Sequence, residues 1–258
     1  MKKATDSMRH DWDARARQNA FFYIASWRKD WDEKSFFASG ETDYLALVQP
    51  VLERLAVEPR GKSMAELGCG AGRMTRAFAS RFASVTAVDI SQEMQARAKS
   101  YLADFSNIRW VLTDGTSLKA VDTSSLDFVF SYLVLQHYPS AGLVASSIQE
   151  MLRILRPGGV FLFQFNGSRE PTMNWKGRLV SSIVDGFCAL GQKSLAHFLA
   201  KLARIDPEMV GRTWRGAALD SSRIEEIVRL GGGVPAGFSG VDTPLAWCFG
   251  HKSPRTGS

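Results

Sequence analysis

The chain has 258 residues, 45% of them hydrophobic and 22% charged, and a net charge of +6. This composition excludes a disordered, collagen-like or coiled-coil chain, and the length suffices for a core that needs no disulfide or metal staple. Three scattered cysteines (Cys69, Cys188, Cys248), no apolar run near about 18 residues, and a charged start without the apolar stretch of a secretory signal point to a soluble cytoplasmic protein.

Residues 10–58 read as helical. Tyr44, Leu45, Leu47, Val48, Val51, Leu52 and Leu55 give an apolar stripe at helical spacing, and Pro59-Arg60-Gly61 breaks it. From 63 to 166 the pattern alternates. Ser63–Leu67 is a strand leading into a glycine loop, and Met74–Phe82 is a helix. Val85–Asp89 is a strand, and Ser91 caps a helix to about Asp104. Ile108–Leu112 is a strand. Leu126–Leu133 is an almost unbroken apolar run, as in a parallel strand buried on both faces. Ser140–Leu155 is a helix stopped by Arg156-Pro157-Gly158-Gly159, and Val160–Phe165 is another strand. Such alternation predicts a parallel sheet with helices on both faces.

The alternation stops at 168. Two helices are expected, about Lys176–Leu190 and Ser194–Arg204, in a stretch (168–215) carrying eight basic and four acidic groups. Ser221–Leu230 is a further helix. Short strands near Phe238–Val241 and Leu245–Phe249, with Pro244 between them, are expected to form an antiparallel edge hairpin. The expected units are a helical lid (1–58), a ligand-binding core (59–167), a helical cap (168–215) and the completion of the core (216–258).

The most specific feature is Glu66-Leu67-Gly68-Cys69-Gly70-Ala71-Gly72, which follows a strand and opens a helix. Glycines there permit a tight turn and close approach of a ligand to backbone N–H groups. A nicotinamide dinucleotide uses G-x-G-x-x-G, but the third position here is Arg73 and the spacing is G-x-G-x-G. Glu66 would repel a pyrophosphate and welcome an ammonium group. Asp89 ends the second strand, where a carboxylate accepts hydrogen bonds from ribose hydroxyls. An amino acid joined to a ribose suggests S-adenosylmethionine.

VTAVDIS, LTDGTSL, FVFSYLVLQHYP and LRPGGVFLF resemble the successive motifs of the class I S-adenosylmethionine-dependent methyltransferases over roughly residues 60–167. The resemblance implies an α/β, Rossmann-like, seven-stranded, mostly parallel sheet of order 3-2-1-4-5-7-6. It implies that Gly68, Gly70 and Gly72, with Cys69 between them, shape the methionine site and that Glu66 orients it. Asp89 would hold the ribose, Ile90 would pack on the adenine, and Asp114 would accept from the adenine amino group with Gly115 and Thr116 alongside. Met94, Ser131 and Gln136 belong to the same expected cofactor site, and Arg73 would reach a carboxylate.

Methyl transfer needs a base only where the acceptor must lose a proton. His137, just past the fourth strand, is the main candidate; the alternative is a histidine that shapes the loop. Tyr23 could hydrogen-bond near the methyl group or simply pack. Trp12, Tyr132 and Trp175 complete the candidate acceptor contacts. No D/N-P-P-Y/F motif, clustered thiols, carboxylate cluster or zinc spacing is visible, which leaves small-metabolite acceptors, methylated on O, N or C, with no metal and no nucleic acid. Two alternatives stay open: a lipid or quinone-like acceptor presented at a membrane by the basic segment 193–204, a less favoured reading, and a regulatory protein that binds the cofactor without turnover. The sequence does not fix the oligomeric state.

Overall fold

The structure is a computed structural model that describes residues 2–168, 183 and 216–254. Helix α1 spans Lys2–Ile24 and kinks at Asn19, which leaves helical geometry (φ −164°, ψ 90°) while its side chain caps Phe22 N at 3.1 Å. Helix α2 (Glu33–Asp43) starts at Asp32, whose carboxylate accepts from Ser35 N. It runs through a π-helical turn (Tyr44–Val48) into α3 (Gln49–Arg54). Pro50 has no N–H to give to the preceding turn, and the chain widens there. The expected stripe therefore narrows: Tyr44, Val48 and Leu52 are buried and Leu45 is exposed.

The core alternates β1 (Ser63–Leu67), α4 (Thr75–Ala79), β2 (Ser84–Asp89), α5 (Gln92–Tyr101), β3 (Ile108–Leu112), β4 (Leu126–Ser131), α6 (Ala141–Ile154) and β5 (Leu155–Phe165). Helix α7 (Ser221–Leu230) then leads to β6 (Gly233–Ser239) and β7 (Ala246–Lys252). The seven strands stand in the order β3-β2-β1-β4-β5-β7-β6, with β7 antiparallel to both neighbours and the other pairs parallel. This is the expected sheet.

Period-two alternation sends side chains to two cores. Leu67, Val88, Val129, Phe161 and Phe163 pack on one face with α6 and α7. Met64, Val85, Phe128, Phe130 and Leu162 pack on the other with α3 and α4. A third cluster joins Ala16 and Ala20 of α1 to Phe36 of α2 and Met94 of α5, so the first helices belong to the folded body.

Several boundaries differ from expectation. β4 ends at Ser131, because Leu133 takes φ +58° and turns the chain out of the sheet. β5 begins at Leu155, not Val160: Leu155 already pairs with Leu126, and Arg156-Pro157-Gly158-Gly159 is absorbed as a bulge. The final strands are longer than expected, and Pro235 is tolerated on edge strand β6. The helices expected within 176–204 lie outside the described residues.

Candidate functional site

The sheet order reverses direction between β1 and β4. Their carboxyl ends therefore open a crevice, the usual binding place in such a fold. Ser131 Oγ bridges the two strands by donating to Leu67 O at 3.1 Å.

The loop after β1 is tied to β2, with Gly68 N and Cys69 N both donating to Val88 O at 2.7 and 3.0 Å. Gly68 adopts φ +80°, and a Cβ there would stand 2.1 Å from Val134 Cγ2, so the chain after β4 rests directly on the loop. Asp89 joins the loop to β2. Its Oδ2 accepts from Gly70 N at 2.7 Å and its Oδ1 from Ser91 N at 2.8 Å. Burial pushes this carboxyl up to about 6, against the pull of those N–H donors. Glu66 is also buried, accepts from Thr75 Oγ1 at 2.6 Å, and is pushed up to about 8 by desolvation. Burial and the two carboxylates push the Cys69 thiol well up, so it is a small buried group and not a nucleophile.

Helix α1 roofs this edge. A Cβ on Gly115 would stand 2.7 Å from Ile90 Cδ1, 3.3 Å from Thr5 Cγ2 and 3.4 Å from Met8 Cε. A Cβ on Gly70 would stand 2.7 Å from Ile24 Cδ1. Asp13 fixes the roof, with Oδ1 accepting from Ser91 Oγ at 2.6 Å and Glu93 N at 3.2 Å. Trp12 meets the His137 ring edge-on, with centroids 5.4 Å apart. Gln136 Nε2 lies 3.3 Å from His137 Nε2.

The other expected residues are placed as follows. Asp114 is exposed and closes its own turn, Oδ1 accepting from Thr116 N, Thr116 Oγ1 and Ser117 N. Met94 is in the α1–α5 packing. The Tyr23 hydroxyl donates to Gln18 Oε1 at 3.0 Å. Arg73 does meet a carboxylate, but one from the protein: Nη1 is 2.7 Å from Asp43 Oδ2. Its guanidinium lies 5.7 Å from the Tyr132 ring and 5.3 Å from that of Trp27. Trp175 lies outside the described residues. Thr5, Met8, Asp13, Asp43 and Gln164 escape a reading of the sequence, because each acts across a long separation with no local motif.

Residues 65–163 match the family model described as a methyltransferase domain. A trans-aconitate 2-methyltransferase of Azoarcus sp. is 30% identical over 59% of this chain and 60% of its own length. A ubiquinone biosynthesis O-methyltransferase of Dechloromonas aromatica is 27% identical over 62% of this chain and 71% of its own length. Across the curated relatives compared, this chain spans from 20% to 71% of their length. A solved phosphoethanolamine N-methyltransferase of Haemonchus contortus, bound to phosphoethanolamine and S-adenosylhomocysteine, shares the fold with a TM-score of 0.62. It is 17% identical, over 99% of this chain and 50% of that one.

The residues fit S-adenosylmethionine. Asp89 and Glu66 are buried carboxyl groups beside the loop, placed to accept from hydroxyl and ammonium donors. Ile90 and Met8 put apolar side chains against Gly115, the kind of surface on which a flat base packs. With the 3-2-1-4-5-7-6 sheet around them, the matched core of the chain, residues 65–163, is a methyltransferase domain of the class I S-adenosylmethionine-dependent type.

Proposed function

We propose that this chain transfers the methyl group of S-adenosylmethionine to an oxygen, nitrogen or carbon atom of a small, partly apolar metabolite. The observation that carries the reading is Asp89, a buried carboxylate at the end of β2, bound to the glycine loop through Gly70 N and flanked by Ile90. Asp89 would accept from the ribose hydroxyls. Ile90, Gly115 and Met8 would enclose the adenine. Glu66 and the loop N–H groups would hold the amino-acid end, and Ser131 and Gln136 would border the methionine portion. When bound, S-adenosylmethionine supplies a methyl group on a sulfonium, which an acceptor's lone pair displaces in line while the C–S electron pair stays on sulfur. The chain's own part is to align the acceptor and exclude water. Trp12, roofing His137, contributes to that exclusion.

The small-molecule class is supported by the acceptors in the relatives' names. A quinone-like acceptor is the second reading, favoured by the Dechloromonas relative, of which this chain spans the larger share. The test has two stages. Calorimetry should detect S-adenosylhomocysteine binding and none of NAD or ATP. Methyl-labelled S-adenosylmethionine should then be incubated with the protein and a cell extract, and the label counted in small-molecule, lipid, RNA and protein fractions. Label in small molecules supports the first reading, and label in the lipid fraction the second. Absence of S-adenosylhomocysteine binding would sink both.

A further inference from the structure

Gln164 is fully buried near the end of β5, facing the turn that carries Gln136 and His137. Its amide is oriented beyond ambiguity. Leu133 N–H, on a residue held at φ +58°, can only donate, and it lies 3.1 Å from Oε1. Phe165 O and Pro244 O can only accept, and each lies 2.8 Å from Nε2. Gln136 Oε1 is a third acceptor on the same nitrogen at 3.1 Å. Two N–H groups serve three acceptors there. Even so, the NH₂ group of Gln136 could not face Gln164 Nε2, because an amide nitrogen has no lone pair to receive a proton.

The polarity then passes to the histidine. With its oxygen turned to Gln164, Gln136 presents its NH₂ to His137 Nε2 at 3.3 Å. That ring nitrogen must accept, so the ring proton sits on the other one. We propose that Gln164 is a positioning residue which, through Gln136, fixes His137 as the neutral Nδ1–H tautomer. In that state the ring's one lone pair, on Nε2, is engaged by the Gln136 amide and the other nitrogen carries the proton, so no free lone pair is left to take a proton from an acceptor. His137 then shapes the site through its place beside Trp12 and Gln136, and is not its base. Resting on the methyl-transfer reading, this narrows the acceptor to one whose attacking atom needs no base from His137, such as a carboxylate oxygen or a neutral amine.

The test does not require the acceptor. The full chain is labelled with ¹⁵N, and the imidazole nitrogens are read by long-range ¹H–¹⁵N correlation near neutral pH. The His137 signals are assigned by their loss in His137→Gln. The expected result is a neutral His137 with the proton on Nδ1. In Gln136→Glu, a half-exposed position, an acceptor faces Nε2 and the proton should move there. In Gln164→Met the amide of Gln136 is released, and both tautomers should appear. A wild-type ring protonated on Nε2, or on both nitrogens, overturns the proposal. So does a wild-type pattern unchanged in both variants. A change in Gln136→Glu with none in a folded Gln164→Met removes Gln164 from the relay and overturns its role. If Gln164→Met does not fold, the result for Gln136→Glu decides. S-adenosylhomocysteine calorimetry on the same samples separates failure of the methyltransferase reading from failure of the relay.

Discussion

The carboxylate of Asp13, on the first helix, accepts the hydroxyl proton of Ser91 at 2.6 Å. Ser91 Oγ in turn accepts from Met94 N, and Ser91 N donates to Asp89. One hydroxyl therefore links the roof of the site, the N-terminus of α5 and the carboxylate assigned to the ribose. Asp13 also accepts from Glu93 N, and a negative charge at the positive end of a helix is favourable.

Asp13→Ala removes a charge-assisted pair from a half-buried position and leaves Ser91 Oγ without its acceptor. The expected loss is about 1.5–3 kcal/mol of stability. Because α1 covers the site, S-adenosylhomocysteine should also dissociate about tenfold faster, with association little changed. Stopped-flow kinetics against chemical denaturation would separate the two effects. An unchanged dissociation rate would show that α1 does not restrain the ligand.

Asp89→Ala should weaken S-adenosylhomocysteine binding by about 1.5–3 kcal/mol, the scale for hydrogen bonds to a charged group. Asp89→Asn should be informative in a different way. The side chain has one oxygen left for two backbone donors, Gly70 N and Ser91 N, so either the loop or the α5 entry loses its partner. Both variants should bind less tightly than the wild type in calorimetry. Equal affinity in both would contradict the ribose assignment.

The fold was largely legible because each strand writes its two faces into the chain. Phe128 and Phe130 point one way and Val129 the other, and the glycine loop and Asp89 mark strand ends. Strand limits were less legible. Leu133 carries no glycine to announce its positive φ, and the bulge at Pro157-Gly158 reads as a stop until Leu155 is seen to pair with Leu126. Asp13, Asp43 and Gln164 were invisible for another reason. Their partners lie about 30 to 80 residues away, and no periodicity records such a meeting.

Glu66 gives a pH dependence of definite sign. Its carboxyl is raised from 4.5 to about 8 in the folded chain, mainly by desolvation. The folded state therefore holds a proton that the unfolded state has released. Stability from this group is fully present below about pH 4.5 and is lost as pH rises toward about 8. Asp89, raised to about 6, adds to the same slope over the lower part of that window. Glu66→Gln should flatten it. Thermal melts of the ligand-free protein should match the wild type near pH 4.5 and exceed it near pH 8 by an amount on the order of a few kcal/mol. A variant whose melting curve tracks the wild type across the whole range would place the proton elsewhere.

Gly68 and Gly61 separate two costs that glycines usually conceal together. Both adopt the left-handed region, at φ +80° and +79°. Around Gly61 a Cβ would meet nothing within 4 Å, so Gly61→Ala pays only the backbone term, about 1–2 kcal/mol. At Gly68 the same Cβ would stand 2.1 Å from Val134 Cγ2, and the neighbour is a stiff β-branched side chain. Gly68→Ala should therefore cost the backbone term plus an overpacking term of about 1–3 kcal/mol, and should displace the turn that carries Gln136 and His137. Val134→Ala in the Gly68→Ala background should return the overpacking term and not the backbone term. The double-mutant cycle, run by denaturant unfolding, should give a coupling energy of about 1 kcal/mol or more. Zero coupling would mean that the glycine is needed for its backbone alone, and that the loop after β4 is not seated on the glycine loop.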